Sequence, residues 1–384
     1  MSHSISPEPQ TLAMNGRFYF LDALRGLVAV WVVLFHIYIQ QAETILPFLE
    51  AIPAWLADFI FKKGYVGVSV FFVLSGFVIA YSCRKAKIDV NYFRNFLLKR
   101  FIRLTPPYYA AIGIALAFAV LDTFIRGDEF PVSSPAQFAA NLLYTHYIFR
   151  EEAIIDVSWT LCLEIQFYAI FCILLALSQR LEYKYGLKNS SLLVFLSTGL
   201  ISIILPSLLP LDIFVTYLGT TFCPKWYSFL LGVFAYWVWT KRIRVSWFCF
   251  YATLVVLMAI AGGNMASGDG YFILGSVFTA IVILGVAQIN HLSSCLNWPW
   301  LQFLGAISYS LYLTHAPMIS ASSYLWNRLT EKSSFFTAFM AILFIFVCCI
   351  LLALLIYLII EKPSIWWSRQ LLFSPSFQSK SIRE

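Results

Sequence analysis

Four ionisable residues lie within apolar stretches of this chain: Arg25, His36, Glu164 and His315. Such groups are costly at membrane depth and mark functional sites by default. A histidine with a carboxylate beside it is the usual pairing of a base with the group that orients it, so a hydrogen bond between His36 and Glu164 is the expected core of a site. Arg25 and His36 are eleven residues apart, close to three helical turns, which places them on one face about 16 Å apart along the axis. The plainer reading of that pair is a snorkelling arginine and a hydrogen-bonded core histidine. Glu164 alone reads equally as half of a structural ion pair between helices, and His315 as a packing residue. His3, His146 and His291 read as solvated surface.

A second cluster, Arg94 to Tyr108, is basic. Lys99, Arg100 and Arg103 share part of one helical face. Arginine forks suit phosphate recognition; the alternative is a cluster that sets topology and touches anionic headgroups. Eight cysteines fall mostly inside apolar runs, with no CxxC pair. They read as small core hydrophobes. No zinc spacing is present, and no metal is expected.

The elements that position these groups follow from composition. The chain has 384 residues, 60% hydrophobic and 12% charged, with mean hydropathy +0.79. Soluble domains are about 25% charged, so much of this surface must face lipid. A bilayer core needs about 20 apolar residues per helix. Spans are expected near 18–39, 65–82, 105–123, 159–178, 191–209, 226–240, 246–262, 271–288, 302–323 and 335–360. Continuously apolar runs such as Ala338–Ile360 lack the alternation of a transmembrane barrel strand. The fold class is all-α, a polytopic transmembrane bundle of about ten helices.

Charge sets the orientation. Arg84, Lys85, Lys87, Arg94, Lys99, Arg100 and Arg103 separate the second span from the third, and Lys241, Arg242 and Arg244 follow the sixth. Asp128, Glu129, Glu151, Glu152 and Asp156 sit in the loop after the third. Basic loops face the cytoplasm, which puts both termini inside and places His36, Glu164 and His315 at similar depth in the outer half. The loop holding Arg328, Glu331 and Lys332 fits this alternation poorly. The N-terminal residues do not resemble a cleaved leader. Tails at 1–17 and 364–384 flank one membrane domain at 18–363. The connection from Asp122 to Ser158 is long enough to be functional.

Taken in order, the segments resemble the acyltransferase-3 family of integral membrane acyltransferases. Leu21–Gly26 with His36 is similar to its first-helix signature, and Phe71–Phe77 to its second-helix motif. Arg100-Phe-Ile-Arg103, followed by Pro106, Pro107 and Tyr108, resembles its RxxR segment. Ser158–Tyr168 is similar to the motif around its glutamate, Ser308–Pro317 to its late histidine motif, and Glu361-Lys-Pro363 to its tail. Ile165 departs from the second glutamate that many members carry.

The resemblance implies transfer of an acyl group, by family habit acetyl, from cytoplasmic acyl-CoA to a hydroxyl of a cell-surface or exported glycan or glycolipid, O-antigen lipopolysaccharide and peptidoglycan among the candidates. The enzyme would sit in the inner membrane among its lipids, with no nucleic-acid partner. His36, Glu164 and His315 would be catalytic. Arg25, Arg100 and Arg103 would hold acyl-CoA, and Ser75, Trp159 and Tyr168 would line the substrate path, although Ser75 and Gly76 also suit helix packing. A proton-coupled transporter and a catalytically inactive membrane sensor are the competing classes. Paired symmetric halves, the mark of many transporters, are not visible.

Overall fold

The computed structural model describes residues 17–126, 132, 134–208, 219–261, 268–330 and 334–370. The expected tails up to residue 16 and beyond 370, with His3, lie outside the described residues, as do Asp128, Glu129, Glu331 and Lys332. Among the described residues the fold is all helical.

A helix stands at each of the ten expected spans: α1 Tyr19–Ala51, α2 Gly67–Ser82, α3 Val90–Arg126, α4 Trp159–Tyr185, α5 Ser190–Leu208, α6 Trp226–Trp239, α7 Val245–Ala261, α8 Gly268–Gln288, α9 Pro299–Leu329 and α10 Phe335–Ile356. A π-helical turn, Tyr357–Glu361, joins α10 to α11, Lys362–Gln370. Six described helical stretches are long and apolar enough to cross a membrane: those at α1, α2, α3, α4, α8 and the α10–α11 run. The chain is a multi-pass membrane protein. Helix α9 has the length, with 31 residues, but is not among the six apolar ones. Most of its small polar side chains point into protein: Ser308, Ser310, Thr314, His315, Ser322 and Ser323 are all buried.

The described part of the long loop expected after the third span is largely helical. Helix α3 runs on to Arg126, and two short helices, Pro135–Leu142 and His146–Phe149, follow. Ser134 caps the first of these, accepting from the Gln137 amide at 3.0 Å, with Pro135 at the first helical position, where a missing amide costs nothing.

The residues fall into two compact units, one drawn from Met1–Val28, Val66–Ala86 and Leu177–Ala306, the other from Ala29–Tyr65, Lys87–Ala176 and Ile307–Glu384. The first unit is centred on α6, every residue of which is buried. Its 14 residues span about 21 Å, short for a bilayer, and it is enclosed by protein. Gly76 of α2 lies against the Phe229 carbonyl of α6, and Gly232 of α6 against the Val73 carbonyl of α2. A side chain on either helix would prevent that approach, the small-residue contact on which membrane helices rely.

In the second unit, Pro106 and Pro107 interrupt α3. They remove the amide donors that would serve the carbonyls of Ile102 and Arg103. The hydroxyl of Tyr309, on α9, donates to the next carbonyl, that of Leu104, at 2.8 Å. The π-helical turn carries Glu361 into the same unit, 4% exposed, where its carboxylate accepts from the Ser310 hydroxyl at 2.6 Å and the Ser310 amide at 3.2 Å.

Candidate active site

His36 and His315 meet in the second unit. Their rings lie edge to face with centroids 4.7 Å apart. His36 is half-buried and His315 is fully buried. Each is fixed by its own helix: Nδ1 of His36 is 2.9 Å from the Val32 carbonyl and Nδ1 of His315 is 3.2 Å from that of Leu311. A carbonyl only accepts, so both Nδ1 atoms carry a proton, and in the neutral ring each Nε2 carries the lone pair. This is the tautomer a base or nucleophile requires. Nε2 of His315 is buried without a hydrogen-bond partner among the described residues.

The expected bond between His36 and Glu164 is not how this structure holds the imidazole. The Val32 carbonyl, one turn back on the same helix, takes that place. The carboxylate whose charge acts on His36 is Asp156, in the helical turn preceding α4. Glu164 instead accepts from the hydroxyl of Tyr168, one turn on, and Tyr168 is buried. The Arg100 guanidinium lies 4.6 Å from the Tyr168 ring centre and 5.3 Å from that of Phe96, in cation–π contact. The charge of Arg103 also reaches Tyr168. The glutamate and the arginine segment are thus joined through one tyrosine.

Between these two groups runs a polar seam. The Tyr312 hydroxyl is 3.0 Å from that of Thr160, and the Tyr312 ring is 5.9 Å from that of His315. Trp159, half-buried, packs on Tyr147 with ring centroids 5.9 Å apart. Arg25 and Ser75 belong to the first unit. Arg25 pairs with Asp22 at 3.8 Å, and Asp22 also holds Arg17 at 2.5 Å. Ser75 is half-buried on α2.

The reading of His146 as solvated surface is corrected. It is 1% exposed, 2.9 Å from the Ser158 hydroxyl and 3.6 Å from the Cys162 sulfur. Burial pushes its pKa down to about 4. The short helix His146–Phe149 carries it inward, which its place in a connection between spans does not reveal. His291 is exposed, as expected.

Two participants, Val32 and Asp156, had no clear signal. Val32 acts through a backbone carbonyl, which every residue carries. Asp156 counted only as a loop charge. Tyr168 as partner of Glu164 was findable, since residues four apart share a helix face.

The acyltransferase domain model matches residues 18–358, nearly all of the two units. The chain belongs to the acyltransferase-3 family. It is 26% identical over 331 residues to an O-acetyltransferase, OatA, of Staphylococcus aureus, covering 78% of this chain and 50% of that protein. It is 25% identical over 334 residues to the peptidoglycan O-acetyltransferase OatA of Listeria monocytogenes, covering 79% and 49%. The chain therefore spans about half the length of these relatives. No solved structure matches it.

Proposed function

We propose that this chain is an acyl-CoA-dependent O-acetyltransferase that modifies a hydroxyl of a cell-envelope glycan from within the cytoplasmic membrane. The observation that carries the reading is the tautomer of His36: with Nδ1 committed to Val32, Nε2 is left to accept a proton. In the proposed step Nε2 takes the proton of the acceptor hydroxyl as its oxygen attacks the thioester carbonyl. The carbon–sulfur bond breaks, and the departing CoA thiolate is protonated by the imidazolium, so the base is restored. His315, with its own free Nε2, exchanges that proton with His36 or accepts a bond from the acceptor. His315 is fully buried, which keeps water from its side of the pair, where it would otherwise hydrolyse the thioester.

Arg100 and Arg103 take the donor phosphates. Glu164, held by Tyr168 beneath Arg100, fixes the arginine end of the path. The orientation in this proposal follows the basic segments: both termini and the donor lie on the cytoplasmic side. O-acetyl transfer is supported by the names of both relatives, and a glycan acceptor, peptidoglycan, by the second.

The test begins with the donor. Purified protein is heated with and without acetyl-CoA, beside the Arg100→Ala/Arg103→Ala variant. A ligand at about 100 times its Kd stabilises the native state by about 2.7 kcal/mol, which moves the melting temperature by a readable amount. A saturable rise in wild type, reduced in the variant, supports the donor site. No rise with folded wild-type protein and any acyl-CoA sinks the reading.

A further inference from the structure

At one end of the first unit, a cleft of about 920 Å³ opens where α5 and α7 begin and α6 and α8 end. Its lining is divided. Leu192, Leu193, Leu196 and Trp247 make an apolar wall, while Lys241, Arg242 and Arg244 bring three cations. Arg242 is fixed: it donates to the Ser191 hydroxyl at 2.6 Å, and its guanidinium lies 4.9 Å from the Trp237 ring centre. Glu182 is the carboxylate whose charge acts on it. Lys241 and Arg244 are exposed, and among the described residues neither forms an ion pair. Among the described residues the lining carries these three bases and no acid.

The turn that presents them is itself informative. Lys241 has φ +58° and follows the end of α6, a left-handed position where glycine is the common residue. A lysine there costs about 1 kcal/mol of backbone strain. Its amide still closes the turn onto the Val238 carbonyl at 3.0 Å, and that of Arg242 onto Trp237 at 2.8 Å. The strained position thus keeps a cation at the cleft.

We infer that this cleft binds the phosphate of an anionic glycerophospholipid, with Lys241, Arg242 and Arg244 on the phosphate and the leucine and tryptophan wall against the first methylenes of an acyl chain. The juxtaposition of charge and apolar wall favours an amphiphile over a free anion. The site is independent of the acyl-transfer chemistry proposed for His36 and His315, which belong to the other unit.

The experiment compares melting temperatures in zwitterionic phosphatidylcholine micelles as phosphatidylglycerol is titrated in. The variants are Lys241→Ala/Arg244→Ala, which leaves the bonded Arg242 in place, and Lys241→Arg/Arg244→Lys, which keeps both charges. The proposal expects a saturable rise with phosphatidylglycerol in wild type. The alanine pair should need roughly thirtyfold more lipid, the loss of two basic residues near the headgroups at about one kcal/mol each, and the charge-conserving pair should behave as wild type. Inorganic pyrophosphate, added alone, is the second arm. Equal response to both lipids, or an unchanged phosphatidylglycerol response in the alanine pair, overturns the proposal. A pyrophosphate response as large as that to lipid, and lost in the alanine pair, also overturns it by assigning the cleft to a soluble phosphate.

Discussion

The imidazoles of His36 and His315 lie edge to face, 4.7 Å between ring centres, each held by a backbone carbonyl one turn back on its own helix. Two rings from distant parts of the chain thereby present their Nε2 atoms without recourse to a side-chain orienter. If they act as one unit, their losses will not add. His315→Gln is expected to lower kcat by about 10- to 100-fold, and the His36→Ala/His315→Gln pair to be no slower than His36→Ala alone, because residues in one catalytic unit are strongly non-additive. Initial rates of the three variants at saturating donor check this. Multiplicative losses would mean that the two rings act separately.

Tyr168→Phe keeps the ring beneath Arg100 and removes only the hydroxyl that serves Glu164. Leaving a polar group short of its partner costs about 1–3 kcal/mol. The variant should therefore melt lower while retaining the cation–π contact. Arg100→Lys should show the reverse pattern, with weaker acetyl-CoA binding and little change in melting, because lysine lacks the planar fork.

The glycines divide into two classes. A Cβ on Gly232 would meet the Val73 carbonyl oxygen and come within 2.8 Å of the Phe77 nitrogen, all of it backbone. Gly232→Ala should cost about 1–3 kcal/mol or more, as overpacking does. A Cβ on Gly285 meets nothing within 4 Å, and Gly285→Ala should be neutral or stabilising by about 0.4–1 kcal/mol. Thermal melts in one detergent separate them.

His146 gives a pH signature. Its pKa in the folded protein is about 4, against about 6.5 in the unfolded chain. Between those values the unfolded state binds more protons, so stability falls as pH drops through that window and is fully present above it. The melting temperature of wild type should decline from pH 7 to pH 4.5. In His146→Gln the decline should be shallower, even if the starting value is lower.

Much of the architecture was legible because burial in lipid leaves a coarse signal: twenty apolar residues need no fine reading. Even α6, short for a bilayer, appears where the aromatic run Trp226–Trp239 placed it, although its complete enclosure by protein could not be read from hydropathy. The identities of His36, Glu164 and His315 were equally visible, since ionisable residues stand out against apolar sequence. Their pairing was not. Glu164 was expected beside His36 because both are charged and at similar depth. The structure pairs Glu164 with its own helix neighbour and gives the imidazole a backbone partner. The burial of His146 was hidden for a related reason: it depends on how a connection between spans folds inward, and so short a segment carries no periodicity that points to a face.

The central claim is that His36 performs the transfer. The most direct measurement is transfer of labelled acetyl from acetyl-CoA to envelope glycan by membranes holding equal amounts of inserted wild type or His36→Ala. The account predicts a loss of about 10²- to 10⁴-fold, the scale of a positioned general base, with acetyl-CoA still raising the melting temperature of the variant. A transfer rate within twofold or threefold of wild type would contradict it.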